Sequence, residues 1–169
     1  LFVGSSDVYK RQGLLFALSL LCVGCENEDI LDINDLEISP SNPESVVIVE
    51  PDDGITSVNA LTKAINENGD ATYILRRDGV YYMEGKNVFK HNVVIKAENG
   101  SGKMPIIQPI CDAQGALNAD MIRLEGSATF ENIYIIGKDA ATGNLMQRLF
   151  RIDESNVRLK FDNCFIDHC

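Results

Sequence analysis

The segment Ile122-Arg123-Leu124-Glu125 is matched 28 residues later by Phe150-Arg151-Ile152-Asp153, with the same alternation of apolar and charged residues. A second pair follows in the same order, because Phe130-Glu131-Asn132-Ile133-Tyr134-Ile135 is matched 31 residues later by Phe161-Asp162-Asn163-Cys164-Phe165-Ile166. A fainter copy of the Asn-x-x-Ile element lies at Asn92-Val93-Val94-Ile95. Two matched motifs in one order indicate a repeated structural unit, and repeats of this length are typical of solenoids.

The repeated units have the composition of β-strands. Outside residues 56–68 no helical pattern is evident, and Val, Ile, Tyr and Phe dominate short segments separated by turns. These segments are Thr72–Arg76, Val80–Met83, Val88–Ala97, Pro105–Ile110, Met121–Glu125, Ala128–Ile136, Leu149–Asp153 and Val157–Ile166. The sequence therefore predicts an all-β fold, a right-handed single-stranded parallel β-helix. Because the chain stops at Cys169 inside an apparent repeat, we expect the β-helix to be C-terminally truncated.

The stacking predicts which side chains lie in columns. Alternate residues of a strand face opposite sides, and stacked strands are about 4.8 Å apart. Asn132 and Asn163 occupy the corner after a strand in successive units, where their amides are expected to form a ladder. The side chains expected to face inward are Ile122, Leu124, Ala128, Phe130, Phe150, Ile152, Leu159 and Phe161.

One helix is predicted over residues 56–68, as a cap on the open end of the β-helix. Thr56 or Ser57 is suited to its N-terminus. Val58, Leu61 and Ile65 form an apolar stripe, and Gly69 suits the left-handed residue after the last turn.

The N-terminal residues carry features of export. Residues 1–12 include the letters DVYKRQ, which resemble an adapter-derived artefact, and residues 13–24 fit the apolar core of a signal peptide. The Gly24-Cys25 pair resembles a lipobox, so Cys25 is the predicted lipidation site, and an ordinary secretory signal cleaved near Gly24 is the alternative. Residues 25–55 read as a tether, within which Val46–Val49 has the composition of a short strand.

Charge and cysteine content restrict the partners. A net charge of −10 argues against a nucleic-acid binder, which normally carries a basic stripe. Two of the five cysteines, Cys22 and Cys25, lie in or directly after the signal. The spacing of Cys111, Cys164 and Cys169 leaves any disulfide pairing open.

Four motifs open the predicted folded region: Leu61-Thr62-Lys63-Ala64-Ile65, Gly69-Asp70, Tyr73-Ile74-Leu75 and Asp78-Gly79-Val80-Tyr81. Over residues 56–169 the chain resembles pectate-lyase-like β-helix proteins of the chondroitinase-B and alginate-lyase type, and it is similar to surface lipoproteins of Bacteroidota. The resemblance implies an acidic polysaccharide as substrate, with Lys and Arg as base and acid and Ca²⁺ neutralising the uronate carboxylate. No motif here matches those catalytic residues, so the catalytic residues are unknown, no cofactor is assigned to this chain, and Ca²⁺ is expected only in the full-length protein.

Arg123 and Arg151 are the candidate glycan-contacting residues, since an outward column of guanidinium groups suits carboxylates. The alternative is that they simply pair with Glu125 and Asp153 in the same strands. We expect a surface-anchored glycan-processing protein of the outer membrane, a polysaccharide lyase acting by β-elimination. A non-catalytic lipoprotein for glycan binding or adhesion is the alternative.

Other candidate side chains have structural explanations. Oxygen ligands at Asp162 and Asp167, with His168 beside them, would suit Ca²⁺, but Asn163 is already explained as a ladder residue, and no metal site is predicted in this chain. His91 is expected in a solvated loop. Of the adjacent tyrosines Tyr81 and Tyr82, one is expected in the core and the other outside. Residues 98–103 contain Gly and Lys but lack phosphate-loop spacing, so a plain loop is predicted.

Overall fold

A computed structural model describes residues 45–54 and 56–168. Three predictions lie outside the described residues and stay predictions: the artefact at residues 1–12, the signal peptide at 13–24 and the lipidation site at Cys25. Cys169 also lies outside the described residues. Within the described ranges, no helix has both the length and the apolar character needed to cross a bilayer.

The described part consists of short strands and one helix. The helix is α1, Ala60–Asn68. The strands are β1 Val46–Val49, β2 Ala71–Leu75, β3 Val80–Glu84, β4 Val88–Phe89, β5 Val93–Ala97, β6 Ile106–Ile110, β7 Asp120–Leu124, β8 Ala128–Glu131, β9 Tyr134–Ile136, β10 Arg148–Ile152, β11 Leu159–Asp162 and β12 Phe165–Asp167. The prediction of a mostly β chain with a single helix is confirmed for the described residues.

The strands form three parallel sheets. One has the order β1-β2-β5-β8-β11, the second β10-β7-β4 and the third β12-β9-β6-β3. From β2 onward the chain visits these sheets in a fixed rotation, so that each strand pairs with the strand three positions later. All pairings between named strands are parallel, as predicted, and the arrangement is compatible with a parallel β-helix.

Three predicted strands are interrupted by corners. The predicted strand Val88–Ala97 is divided into β4 and β5, Ala128–Ile136 into β8 and β9, and Val157–Ile166 into β11 and β12. Asn132 and Asn163 lie at such corners with positive φ values of 58° and 47°, a conformation that asparagine tolerates better than most residues. The direction of the chain therefore changes at short polar stretches inside segments predicted as single strands: Lys90-His91-Asn92, Glu131-Asn132 and Asp162-Asn163.

The predicted columns are present. Phe150 lies in register with Ile122 and Ile152 with Leu124, while Phe161 lies in register with Phe130. The predicted amide ladder is also confirmed, because Asn163 Nδ2 donates to Asn132 Oδ1 at 2.6 Å. Ile152 remains about half exposed, since β10 is the edge strand of its sheet and is covered from one side only.

The core lies between the three sheets and continues under the helix. Leu61 and Ile65 of α1 are fully buried, which confirms the predicted apolar stripe at these positions. The helix contacts β1, β2, β3 and β4, so it covers apolar side chains near the first strands. The largest fully buried side chains are Tyr73, Tyr81, Phe89, Phe130, Leu61, Ile65, Leu75, Ile95, Ile107, Met121, Ile122 and Leu124.

The start of the helix differs from the prediction. The residue before its first turn is Asn59, with φ 62° and no capping hydrogen bond from its own side chain, and not Thr56 or Ser57. Asp52 supplies the missing acceptor, because its Oδ1 accepts the N–H of Ala60 at 3.1 Å. Gly69 follows the helix with φ 73°, so the positive φ predicted there is confirmed.

Strand β1 lies inside the segment 25–55 that the sequence suggests as a tether. It pairs in parallel with β2, Val46 opposite Thr72 and Val49 opposite Leu75. The paired strands therefore begin ahead of the boundary predicted at residue 56.

Candidate functional site

The arginines predicted as a column lie side by side in the three-stranded sheet. Arg123 of β7 and Arg151 of β10 are register partners, and Arg148 at the start of β10 is the register partner of Asp120 at the start of β7. With Asp153, directly after β10, these side chains form a connected group. We call Arg123, Arg148, Arg151, Asp120 and Asp153 the arginine cluster.

Asp120 lies at the centre of the arginine cluster. Arg148 Nε donates to its Oδ1 at 2.5 Å, and Arg123 Nε donates to its Oδ2 at 3.0 Å. Arg151 Nη1 lies 3.9 Å from the same Oδ2. Because the Asp120 side chain is only 1% exposed, these guanidinium groups replace water as its hydrogen-bond partners.

Asp153 connects the two arginines of the predicted column. It accepts a hydrogen bond from Arg151 Nε at 2.5 Å, and Arg123 Nη1 lies 3.5 Å away. The pairing expected with Asp153 is therefore found. The second acid in contact with the arginines is Asp120 and not Glu125, within the part of the chain that is described.

The neighbouring guanidinium groups favour the ionised form of Asp120. Burial alone would raise the pKa of Asp120, but the hydrogen bonds and charges of Arg148 and Arg123 outweigh burial and lower the pKa. Asp120 is therefore ionised at neutral pH. Three guanidinium groups then face two carboxylates, which leaves one excess positive charge among these five side chains.

Solvent reaches the guanidinium groups unequally. The side chains of Arg148 and Arg151 are 47% and 44% exposed, whereas Arg123 is 27% exposed. An arginine fixed through one edge of its guanidinium group can still present its other N–H groups to a planar anion. The chemistry available here is anion binding, because the exposed groups of the cluster are guanidinium groups.

A second ion-pair column gives a contrast within the same chain. Arg76 Nη1 lies 2.6 Å from Glu98 Oε1, and Arg76 Nη2 lies 2.9 Å from Glu50 Oε1. Here one cation lies between two acids that follow β1 and β5, so the column carries excess negative charge. This column links the ends of three neighbouring strands. The arginine cluster differs from it in sign, because its arginines outnumber its acids.

The residues considered for Ca²⁺ do not assemble into a ligand set. Asp167 accepts a hydrogen bond from Tyr134 Oη at 3.1 Å and lies 3.0 Å from His168 Nδ1, while Asp162 belongs to the preceding strand. No group of three His, Cys, Asp or Glu side chains in the described ranges is placed to hold a metal ion. The expectation of Ca²⁺ in a longer protein stays a prediction.

The remaining candidates have structural partners. His91 is partly exposed, as expected, but its Nδ1 lies 3.1 Å from Asp70 Oδ1. Tyr81 is fully buried and donates its hydroxyl to the Val49 carbonyl at 2.7 Å, while Tyr82 is half-buried, so the expected division between the two tyrosines is confirmed. The segment at 98–103 is a loop, as predicted.

The described cysteines are not joined by a disulfide. Cys111 and Cys164 are both free and partly buried. Burial raises the pKa of the Cys164 thiol, and its Sγ lies 3.3 Å from the Phe130 carbonyl oxygen. Cys164 thus behaves as a small core-side residue at the corner before β12.

Asp139 is a second buried carboxylate, and its contacts hold the loop after β9. Its Oδ1 accepts the N–H of Cys111 at 2.8 Å, and its Oδ2 accepts the N–H and the hydroxyl of Thr142. Burial would raise the pKa of Asp139, but the hydrogen bonds from Thr142 and Cys111 outweigh it and lower the pKa. The ionised form is therefore favoured in the folded chain.

This lowered pKa makes folding stability depend on pH. A carboxylate whose pKa is lower in the folded chain stabilises it fully above the unfolded pKa of about 3.9, and the contribution is lost as the pH falls below that value. We expect Asp139→Asn to lower the free energy of unfolding at pH 7 by about 1–2 kcal/mol and to flatten its decline between about pH 5 and pH 3. Urea unfolding at several pH values measures both effects. An equal flattening in Glu154→Gln, which removes an exposed acid, would contradict this explanation.

No protein-family model matches the chain, and no curated protein matches it significantly. The resemblance to pectate-lyase-like proteins and to Bacteroidota lipoproteins therefore stays a prediction from the motifs.

Sequence reasoning found three members of the arginine cluster, Arg123, Arg151 and Asp153, and missed Arg148 and Asp120. The missed pair is separated by the same 28 residues as Arg123 and Arg151. The repeat that matched the two arginines would also have placed Asp120 against Arg148 if it had been extended by two residues toward the N-terminus.

Proposed function

We propose that this chain folds as a right-handed parallel β-helix whose strand columns form a binding surface for an acidic polysaccharide. The fixed rotation of the chain through three parallel sheets supports the β-helix. Right-handedness is supported by the general rule that connections between parallel strands of one sheet are right-handed.

The arginine cluster carries the proposal of glycan binding. Its guanidinium groups come from two neighbouring strands, which in a parallel sheet are about 4.8 Å apart. Arg148 and Arg151 are both exposed and are both anchored by carboxylates. Guanidinium groups bind carboxylates and sulfates through paired hydrogen bonds. A polymer with an anionic group on its sugar units would present such groups in a row along the sheet.

The net charge of the chain limits how this surface attracts a polyanion. At a net charge of −10 the chain repels an acidic polymer at long range. At physiological salt such repulsion is screened beyond about 8 Å. Recognition would then depend on short-range contacts with the cluster, and we expect moderate affinity and selectivity for acidic over neutral glycans.

Of the two expected functions, non-catalytic binding has the more direct structural support. The cluster contains anion-binding groups, whereas no catalytic residue is assigned for the lyase. Lyase activity by β-elimination remains a second proposal, carried by the motif resemblance at residues 61–81. In either case we propose attachment through Cys25 to the outer membrane, with display at the cell surface.

The test compares binding of acidic and neutral polymers. We expect the chain to bind polygalacturonate, alginate or chondroitin sulfate and not dextran, as measured by isothermal titration calorimetry at two salt concentrations. Arg151→Gln is expected to weaken binding about tenfold, in line with the loss of one charged hydrogen-bonding group. Arg158→Gln is the matched control, because Arg158 is exposed and lies outside the cluster.

Three outcomes are informative. Equal losses in the two variants would show that only total charge matters and would contradict a specific site. Absence of binding to every acidic polymer would overturn the proposed function. A rise in ultraviolet absorbance from unsaturated uronate products, with any of the polymers, would favour the lyase over the binding protein.

A further inference from the structure

We propose that Asp120 is a positioning residue for anion binding: its buried carboxylate fixes the guanidinium groups of Arg148 and Arg123, and binding depends on that carboxylate although it carries the same charge as the ligand. This inference rests on the proposed function. Asp120 itself would not touch the polysaccharide.

The two carboxylate oxygens of Asp120 accept hydrogen bonds from arginines of two neighbouring strands. Oδ1 takes the Nε–H of Arg148 from β10, and Oδ2 takes the Nε–H of Arg123 from its own strand. Holding each arginine at Nε fixes the direction of the guanidinium plane. The Arg148 side chain is 47% exposed, so part of it stays accessible to a ligand while its Nε is held.

The environment of Asp120 makes it a rigid support. Its side chain is buried, and the start of β7 is held by the strand pairing that places Asp120 opposite Arg148. The Asn118 side-chain amide donates to the Asp120 backbone carbonyl at 2.9 Å, which further fixes the residue. By contrast, Asp153 is more exposed and follows the end of β10.

A positioning role and a purely electrostatic role predict opposite changes in affinity when the charge of Asp120 is removed. If the arginines attracted anions through net charge alone, removal of the negative charge of Asp120 would tighten binding. If Asp120 positions them, asparagine leaves one oxygen acceptor in place of two, so at least one guanidinium group is released and must lose rotamer entropy again when the ligand binds. The affinity then falls although the cluster becomes more positive.

Glu125 provides the matched control. It follows β7 directly, next to the cluster, and its carboxylate makes no contact with these arginines among the described residues. Glu125→Gln therefore removes the same charge from the same region without releasing a guanidinium group. We expect it to leave the affinity within about twofold of wild type, or to tighten it slightly through the change in net charge.

The experiment measures polygalacturonate binding by Asp120→Asn, Glu125→Gln and Arg148→Lys, with thermal unfolding and circular dichroism confirming that each variant is folded. We expect Asp120→Asn to weaken binding about tenfold or more. Arg148→Lys keeps the charge but loses the planar fork that Asp120 orients, so it is expected to weaken binding to a similar extent. The Nε–H signals of Arg123 and Arg148 in ¹⁵N-edited NMR spectra should shift together in Asp120→Asn and stay in place in Glu125→Gln.

The outcomes separate this inference from the proposed function. If wild type does not bind any acidic polymer, the proposed function fails. If wild type binds and a folded Asp120→Asn binds equally or more tightly, the positioning role is wrong while the binding site stands. If Asp120→Asn does not fold, the other two variants decide. Full affinity in Arg148→Lys overturns the positioning role. A tenfold loss of affinity in Arg148→Lys, together with unchanged affinity in Glu125→Gln, supports the positioning role.

Discussion

Phe130→Ala is expected to lower the free energy of unfolding by about 3–5 kcal/mol, the range seen when a buried aromatic side chain leaves a cavity. Phe130 of β8 is fully buried. Its ring centroid lies 5.5 Å from that of Phe161, nearly parallel to it, and 5.5 Å from that of Phe150, edge to face. The three rings come from two different sheets, so alanine would remove contacts that hold the sheets together.

Urea unfolding followed by circular dichroism measures this loss, and Phe165→Ala is the matched control. Phe165 of β12 is 62% exposed, and its one ring contact within the described part of the chain is with Tyr134, at 6.3 Å. Its removal should cost less than about 1 kcal/mol, because little apolar surface is returned to water. Equal losses in the two variants would mean that the Phe130 ring is not part of a packed core.

The position of Phe130 could be predicted from the sequence alone because the repeat carries the information. A hydrophobic column requires apolar residues at the same position of successive units, and Phe130 and Phe161 are such a pair. The asparagines that follow them were predictable for the same reason, since an amide ladder needs asparagine at one corner in each unit. Features that repeat with the fold can be found from internal similarity.

Features that occur once were not predictable in this way. The acceptor for the first turn of α1 comes from Asp52, eight residues before Ala60, whereas the local capping rules consider only the residues adjacent to a helix. Glu125 was expected to pair with an arginine because it lies in the same strand segment, but the buried acid at the other end of β7 has that role.

The same distinction applies to the arginine cluster. The repeat predicts that Arg123 and Arg151 lie together. This holds whether the two arginines bind a ligand or only pair with neighbouring acids. The surplus of cations over acids depends on Arg148, whose counterpart in the preceding unit is an aspartate. A repeat that changes sign at one position thus creates the buried ion pair, and the other two arginines are arranged around it. The departure from the repeat, more than the repeat itself, gives this surface its candidate chemistry.

Asp52→Ala is expected to have the second large effect on stability, a loss of about 2–4 kcal/mol in the free energy of unfolding, because it removes the acceptor of several partly buried donors. Asp52 is buried between β1 and α1. Its Oδ1 accepts the Ala60 N–H at 3.1 Å and the Ser57 hydroxyl at 2.9 Å, while its Oδ2 accepts the Tyr82 N–H at 2.9 Å. One carboxylate therefore joins the start of the helix to β3.

Two comparison variants separate this joining role from a general effect of charge. Asp52→Asn keeps one oxygen acceptor at nearly the same volume, so it should lose less stability than Asp52→Ala. Glu67→Ala removes an exposed acid from the helix itself and should change the free energy of unfolding by less than about 0.5 kcal/mol. Amide hydrogen exchange gives the decisive measurement, because the Tyr82 and Ala60 amides should exchange faster in Asp52→Ala while those of β8 keep their relative protection. If all amides lost protection to the same extent, Asp52 would be supporting the whole fold and not the junction between the helix and β3.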